Sequence, residues 1–133
     1  MGMPPTRLGI VYPPEGLYRF LRNLGYPTTK KVFFTARLFG ATEALEMGML
    51  DYLVPAGELE EFTHELAREL AAKAPISIAG HKKLLRMLSP LPPLSAAQRD
   101  EINAIMGKAL ASEDAREGIA AFREKRDPVF KGE

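Results

Sequence analysis

Residues 58–73 constrain the fold most strongly, because their pattern fits an amphipathic helix and little else. Apolar side chains recur there at helical spacing and share one stripe: Leu59, Phe62, Leu66 and Leu70. Charged residues fill most of the other positions, and the glutamate-rich first turn suits the positive end of the helix dipole. We therefore predict a helix whose apolar stripe needs a packing partner.

Proline and glycine divide the N-terminal third into two further helices. Apolar residues within Leu17–Leu24 have helical spacing, and Gly25 is suited to end that helix. Beyond the following proline, we expect Thr28 or Thr29 to cap a second helix that carries Val32–Phe34.

Caps and prolines also mark the later helices. A short helix is expected over Ala41–Met47, and Pro75 is placed to open another that ends near Pro90. Ser95 and Ser112 are predicted N-caps of the last two helices. The side chains expected to face inward from these two helices are Ile102, Ile105, Met106, Ala109, Leu110, Ile119 and Phe122.

The fold class predicted from these segments is mainly α, with at most one or two short strands. Residues 1–14 read as extended or loop, and Tyr52–Val54 is a candidate for a brief strand. The apolar stripes have no evident sheet to cover. We therefore expect part of the packing surface to lie outside this sequence.

Composition excludes several classes of function. The chain has 133 residues, a net charge of +1 and 46% hydrophobic residues, which is ordinary for a soluble globular domain. No global charge favours nucleic acid, and no apolar run is long enough to cross a bilayer. With no cysteine, disulfides and thiolate metal sites are excluded, which suits a cytoplasmic location.

The charge is nevertheless uneven along the chain. Residues 1–40 carry six basic residues against one acid, whereas residues 41–73 carry eight acids against two bases. Solvated helix faces explain most such patterns. The alternative is a basic N-terminal third that faces an anionic ligand. His64 and His81 stand alone on helices without a third ligand at suitable spacing, so no metal site is predicted.

Three segments together resemble the crotonase family, the enoyl-CoA hydratase/isomerase group. They are the run Met3–Tyr12, the run Thr35–Ala44 with the later Gly48–Leu50 and Val54-Pro55, and the C-terminal stretch Ser112–Phe130. The resemblance covers essentially the whole chain, but it is to the C-terminal half of a family member. It implies the helical part of a crotonase-like α/β fold, and a fragment that lacks the ββα-spiral core.

Two regions follow from this resemblance. Residues 1–56 correspond to the end of the catalytic core with an active-site loop and short helices. Residues 57–133 correspond to a C-terminal helical oligomerisation region. A homo-oligomer, trimeric or hexameric in the full-length protein, is therefore expected, with no nucleic-acid or membrane partner.

The resemblance also implies the chemistry. The family polarises an acyl-CoA thioester with two backbone N–H groups and stabilises the resulting enolate, so the substrate is a coenzyme A thioester and no tightly bound cofactor is expected. Hydratases place a glutamate where this chain has Pro5. Tyr12 resembles an active-site tyrosine of the methylmalonyl-CoA decarboxylase branch, while its alternative role is that of an ordinary half-buried aromatic. Glu15 is a weaker catalytic candidate.

Phe122 and Lys125 match family positions that reach the CoA of a neighbouring protomer. A lysine there provides a point charge for phosphate, although it is equally compatible with a solvated position. A second hypothesis belongs to another class: the chain is a non-catalytic helical oligomerisation module that has no activity in isolation.

Overall fold

A computed structural model describes residues 1–90 and 92–133 and contains helices joined by turns. No strand occurs within these residues, so the prediction of a mainly α chain is confirmed, and Tyr52–Val54 is not a strand. Two short 3-10 helices cover Pro5–Leu8 and Ala56–Glu58. The α-helices are α1 (Pro14–Thr35), α2 (Ala41–Glu46), α3 (Leu59–Ala71), α4 (Pro75–Met87), α5 (Ala96–Ala111) and α6 (Glu113–Glu124).

The chain divides into two compact units. The first comprises Met1–Asp51 together with Pro93–Glu133, and the second comprises Tyr52–Pro92. The division at residue 56 inferred from the family resemblance concerns function and stays a prediction. None of the helices in the described part of the chain combines the length and apolarity that a bilayer crossing requires.

The predicted serine caps of α5 and α6 are confirmed. Ser95 Oγ accepts the Gln98 N–H at 3.2 Å, and the Gln98 side chain accepts the Ser95 N–H at 3.0 Å, so the two form a capping box. Ser112 Oγ accepts the Ala115 N–H at 3.0 Å and donates to the Ala109 carbonyl at 2.7 Å. This one hydroxyl therefore satisfies backbone groups at the end of α5 and at the start of α6.

The predicted threonine cap in α1 is wrong. Gly25 has φ 71° and ψ 170°, which interrupts the helix as expected for a glycine that ends it. Helical backbone resumes directly afterwards and already includes Pro27, so Thr28 and Thr29 lie inside the helix. A proline is tolerated in a first turn because that turn needs no N–H donor, and this allows the early restart.

The core of the first unit is largely aromatic and is centred on residues in the second half of α1. Val32, Phe33 and Phe39 are buried, and the Phe20 ring meets the Phe33 ring edge-on at a centroid distance of 5.0 Å. Three methionines pack around this centre: Met3, Met47 and Met49. Methionine fills irregular gaps well, which suits a core assembled from loops and short helices.

A charged cluster covers one side of this core. Glu43 on α2 accepts hydrogen bonds from Lys31 and Arg37, and both cations lie over the Phe39 ring, at 5.7 and 4.3 Å from its centroid. Partial desolvation acts to raise the pKa of the Glu43 carboxyl, but the two cations outweigh it and hold the pKa below its usual value. The cluster therefore ties the end of α1 to α2.

Helix α6 packs through small residues, not through the apolar residues predicted from the sequence. Ala115, Gly118 and Ala121 are buried, whereas Ile119 and Phe122 are 38% and 72% exposed. This stripe lies directly against the N-terminal 3-10 helix. A Cβ at position 118 would lie 2.6 Å from the Leu8 carbonyl carbon, so only glycine permits this approach of two backbones.

The inward face predicted for α5 is only partly correct. Ile102, Met106 and Ala109 are half-buried, but Ile105 and Leu110 are exposed. Helical spacing places all five side chains on one broad face of α5. The contact between α5 and α6 is narrow and covers only part of that face.

The second unit leaves much of its apolar surface uncovered. The Phe62 ring of α3 packs against the Tyr52 ring at a centroid distance of 5.1 Å with a tilt of 59°, while Leu59 and Leu70 at the two ends of the predicted stripe are exposed. Every residue of α4 is exposed. Its large exposed apolar side chains are Ile76, Ile78, Leu84, Leu85 and Met87, followed by Leu88 at its C-cap.

Candidate functional site

Tyr12 lies at the entrance to α1 and packs against the aromatic core. Its half-buried ring is tilted 53° to the Phe33 ring at a centroid distance of 5.4 Å. Pro13 and Pro14 follow it directly, and a residue before proline has a restricted backbone. No hydrogen bond to the Tyr12 hydroxyl forms within the described residues. The ring is thus held by apolar packing, and its hydroxyl is not committed to another group of the unit.

Glu15 occupies the first turn of α1 and is exposed. A carboxylate at this position stabilises the helix through its dipole. Among the residues that the structure describes, no hydrogen bond joins Glu15 to Tyr12, so the two catalytic candidates do not form a hydrogen-bonded pair. Pro5, at the position where hydratases carry a glutamate, is buried in the N-terminal 3-10 helix.

Phe122 and Lys125 do come together, because both line one cleft of about 510 Å³. The C-terminal end of α6 forms one wall of this cleft. The N-terminal 3-10 helix and the turn after α1 contribute Arg7 and Leu38. Phe122 is 72% exposed and Leu38 is 81% exposed, so the cleft presents apolar surface beside basic groups. Cationic and apolar surfaces placed together suit a ligand with phosphate and aromatic parts.

The three basic residues of the cleft differ in how far they are already paired. Arg126 makes a bidentate contact to Glu117 at 2.5 and 2.8 Å and a further bond to Glu124 at 2.6 Å. Arg7 has one bond, at 3.0 Å, to the exposed Asp127. Lys125 makes no ion pair within the described residues. Lys125 and Arg7 are therefore the cations that the cleft can offer to an anion.

The C-terminal tail is fastened to α6 by two carboxylates. Glu117 Oε1 accepts the Val129 N–H at 2.9 Å, and Asp114 accepts the N–H groups of Lys131 and Gly132 at 2.7 and 2.9 Å. Hydrogen bonds from Arg126 and then from Val129 lower the pKa of the Glu117 carboxyl to about 2. Sequence reasoning missed this clasp, which holds the tail directly after Asp127 and Pro128, two residues that line the cleft.

Acid is expected to release this clasp. Because the pKa of Glu117 is lower in the folded chain than in the unfolded chain, its stabilising contribution is complete above about pH 4.5 and is lost as the pH falls towards 2. The difference in unfolding free energy between the wild type and Glu117→Gln should therefore shrink steadily below pH 4.5. Denaturant unfolding at several pH values measures it. Glu101→Gln, at an exposed position on α5, is the control; a difference that is independent of pH would contradict the assignment.

Sequence reasoning found two residues of this cleft and missed the rest. Arg7 lies more than 100 positions away from Lys125, and Leu38 comes from a third segment. No local pattern joins three such segments. Two weaker signals were available: Arg7 belongs to the basic N-terminal third, and Arg7 and Lys125 both lie within runs that resemble the same family.

An apolar cavity and two histidines lie outside this cleft. A largely apolar cavity of about 430 Å³ is lined by Met3, Phe20 and Met49, which also pack on the core that holds Tyr12. His64 and His81 are exposed, and no cluster of three potential metal ligands occurs among the residues that the structure describes.

Comparison with known proteins supplies a family and several relatives. A family model described as enoyl-CoA hydratase/isomerase matches residues 1–133. Methylmalonyl-CoA decarboxylase of Escherichia coli strain K12 is 36% identical over 130 residues, which span 98% of this chain and 50% of that protein. Carnitinyl-CoA dehydratase of the same strain is 38% identical over 132 residues, which span 98% of this chain and 51% of that protein.

The solved structures agree with the sequence comparison. A crystal structure of methylmalonyl-CoA decarboxylase complexed with 2S-carboxypropyl-CoA is similar with a TM-score of 0.89 and 36% identity. The match covers 99% of this chain and 51% of that one. The chain thus spans about half the length of the relatives that it matches.

Proposed function

The chain belongs to the enoyl-CoA hydratase/isomerase family, and we propose that it forms the C-terminal half of an enzyme that acts on acyl-CoA thioesters. The family match over the full chain carries this proposal, and the names of the relatives give the substrate class. In the proposed reaction two backbone N–H groups stabilise a thioester enolate. These donors belong to the half of the family fold that this chain does not match.

Within the family we favour a decarboxylase-like reaction. The decarboxylase and dehydratase relatives have nearly equal identity to this chain, so similarity alone does not distinguish them. The distinction comes from Pro5, which cannot transfer a proton, and from Tyr12, which is held at the edge of the core. Loss of CO₂ from a 2-carboxyacyl thioester needs a desolvated carboxylate and a stabilised enolate, but no strong base.

Tyr12 has a defined part in this reaction. When the bond from the α-carbon to the carboxylate breaks, its electron pair passes into the thioester enolate and CO₂ leaves. The α-carbon then takes a proton, for which the Tyr12 phenol is the proposed donor. The phenolate takes a replacement proton from water, and the hydroxide that remains carries the negative charge of the carboxylate lost as CO₂. The apolar surroundings of the ring, with Phe33 beside it, favour such a desolvated site.

Turnover with two substrates tests the proposal. The protein is purified as its own gene produces it and is assayed with methylmalonyl-CoA and with crotonyl-CoA. We expect CO₂ release from the first and slow or absent hydration of the second. Rapid hydration of crotonyl-CoA without decarboxylation would show that the enzyme is a hydratase and not a decarboxylase. If neither substrate reacts, the result favours the second candidate function, a non-catalytic assembly module.

The cleft that contains Phe122 and Lys125 is proposed to hold the phosphate-bearing end of CoA. Lys125 and Arg7 supply the charge, because Arg126 is already paired with Glu117 and Glu124. Lys125 also caps α6 in the left-handed region, with φ 56° and ψ 38°. That conformation costs a residue with a Cβ roughly 1–2 kcal/mol, so Lys125 occupies a position that glycine would occupy with less strain.

Replacing Lys125 by glycine is therefore expected to have opposite effects on stability and on binding. The free energy of unfolding should rise by about 1 kcal/mol, because glycine adopts the left-handed conformation without strain. The KM for an acyl-CoA should rise roughly tenfold, because a charged hydrogen bond to phosphate is lost. Lys125→Arg, which keeps the charge, is the matched variant and should retain a low KM. Equal KM values for all three proteins would remove Lys125 from the site.

The second candidate function is a non-catalytic helical assembly module. The exposed apolar side chains of α4, among them Leu84, Leu85 and Leu88, favour it because surfaces of this kind usually meet a partner. A homotrimer or hexamer built through residues 57–133 is the assembly proposed. Sedimentation of the chain over a range of concentrations tests it, and a monomer at the highest concentration would contradict it.

A further inference from the structure

We infer that Gly16 is the positioning residue for Tyr12, and this inference rests on the role proposed above for that tyrosine. A Cβ built on Gly16 would lie 2.2 Å from Cε1 of Tyr12 and 3.0 Å from both Cδ1 and Cζ. The Tyr12 ring therefore rests directly on the bare backbone of Gly16. No side chain at position 16 is compatible with the present position of the ring.

The contact involves the part of the ring that matters for chemistry. Cζ carries the hydroxyl group and Cε1 is its neighbour, so a methyl group at position 16 would displace the hydroxyl end of the ring. Phe33 holds the ring from another direction at 5.4 Å, and Pro13 restricts the backbone of Tyr12. With the backbone restricted, Gly16 and Phe33 together set the position of the phenol.

A displaced phenol matters for rate more than for folding. The atoms that an alanine at position 16 would meet belong to a side chain that can rotate away, and no backbone atom is among the three nearest. Proton transfer is sensitive to distance, and a misplacement of about 1 Å can lower a rate by roughly 10²-fold. Gly16→Ala is therefore expected to lower kcat by roughly 10²-fold. The midpoint of denaturant unfolding should change only slightly, because the better helix propensity of alanine offsets part of the cost of moving the ring.

The experiment combines kinetics with a direct observation of the ring. Gly16→Ala, Tyr12→Phe and the double variant are assayed with methylmalonyl-CoA in the protein as its own gene produces it. Because Gly16 acts through the Tyr12 hydroxyl, the double variant should be no slower than Tyr12→Phe alone. Gly107→Ala on α5, where a Cβ would meet nothing within 4 Å, is the control and should keep full activity.

The ring position is measured separately by ¹⁹F NMR of 3-fluorotyrosine-labelled protein. The Tyr12 resonance is identified as the one absent from Tyr12→Phe, and Gly16→Ala should shift it while Gly107→Ala does not. The inference would be overturned if Gly16→Ala left the resonance unshifted. It would also be overturned if Gly16→Ala lowered kcat by the same factor in the wild type and in the Tyr12→Phe variant. Full activity of Tyr12→Phe would instead refute the catalytic role of Tyr12, and the resonance would still decide whether Gly16 positions the ring.

Discussion

Gly118→Ala is expected to destabilise the chain by about 1–3 kcal/mol, although alanine is the better helix former. The added Cβ would lie 2.6 Å from the Leu8 carbonyl carbon and 2.8 Å from the Leu8 Cα and the Arg7 carbonyl oxygen. All three atoms are backbone, so no rotation of a side chain can relieve the contact. The α6 helix and the N-terminal 3-10 helix must separate instead.

Gly107→Ala is the matched control for this prediction. It is also a glycine inside a helix, but a Cβ there would have nothing within 4 Å. Helix propensity then acts alone, and the variant should gain about 0.5–1 kcal/mol. Denaturant unfolding of both variants, with equal slopes, measures the contrast. If Gly118→Ala is as stable as Gly107→Ala, the close contact between α6 and the N-terminal segment is not present in solution.

Separation of α6 from the N-terminal 3-10 helix should also change the shape of the ligand cleft. Arg7 and Leu8 line the cleft opposite Phe122 and Lys125, so a shift of the N-terminal segment changes its width. The KM for acyl-CoA should therefore rise in Gly118→Ala and remain unchanged in Gly107→Ala. The missing side chain thus admits a backbone at Gly118 and an aromatic ring at Gly16.

Tyr12→Phe is expected to lower the rate of decarboxylation by 10²-fold or more, the usual contribution of a positioned proton donor. Stability should change little, because phenylalanine keeps the ring packing on Phe33 and the hydroxyl has no partner within the described residues. The kcat for methylmalonyl-CoA and the unfolding midpoint are measured together. Tyr26→Phe is the control, since that ring is 65% exposed and lies outside the proposed site.

Glu15→Gln tests the alternative donor in the same assay. Glu15 is exposed in the first turn of α1, and the change should cost a few tenths of a kcal/mol of stability through the helix dipole. A large loss of kcat in Glu15→Gln together with full activity in Tyr12→Phe would assign the proton transfer to Glu15. A large loss in Tyr12→Phe alone supports the role proposed for the tyrosine.

Local chemistry explains which parts of the fold were predictable. Ser95 and Ser112 cap helices because a hydroxyl oxygen accepts the N–H of a residue three positions later, and no distant residue takes part. Pro75 opens α4 for a similarly local reason. The prediction of a threonine cap in α1 failed because another local signal acted earlier in the chain. Gly25 interrupts the helix, and Pro27 allows the helix to restart before Thr28 is reached.

The candidate site was predictable only where the family resemblance pointed to single residues. Tyr12, Phe122 and Lys125 were named in this way, and their roles stay predictions. The support of Tyr12 by Gly16 and the fastening of Arg126 by Glu117 carry no sequence signal of their own, because each depends on how a side chain is turned.

By itself the sequence determined the helices, most of their ends, the mainly α class and the family. Only the tertiary structure decided which faces are buried. Ile119 and Phe122 are the apolar residues of α6, yet the buried stripe is Ala115, Gly118 and Ala121. The physical reason is that helix ends depend on hydrogen bonds between near neighbours in the chain. Burial depends on the shape of the partner surface. For α6 that partner is the backbone at Arg7 and Leu8, more than 100 residues earlier, which can come close only to small side chains.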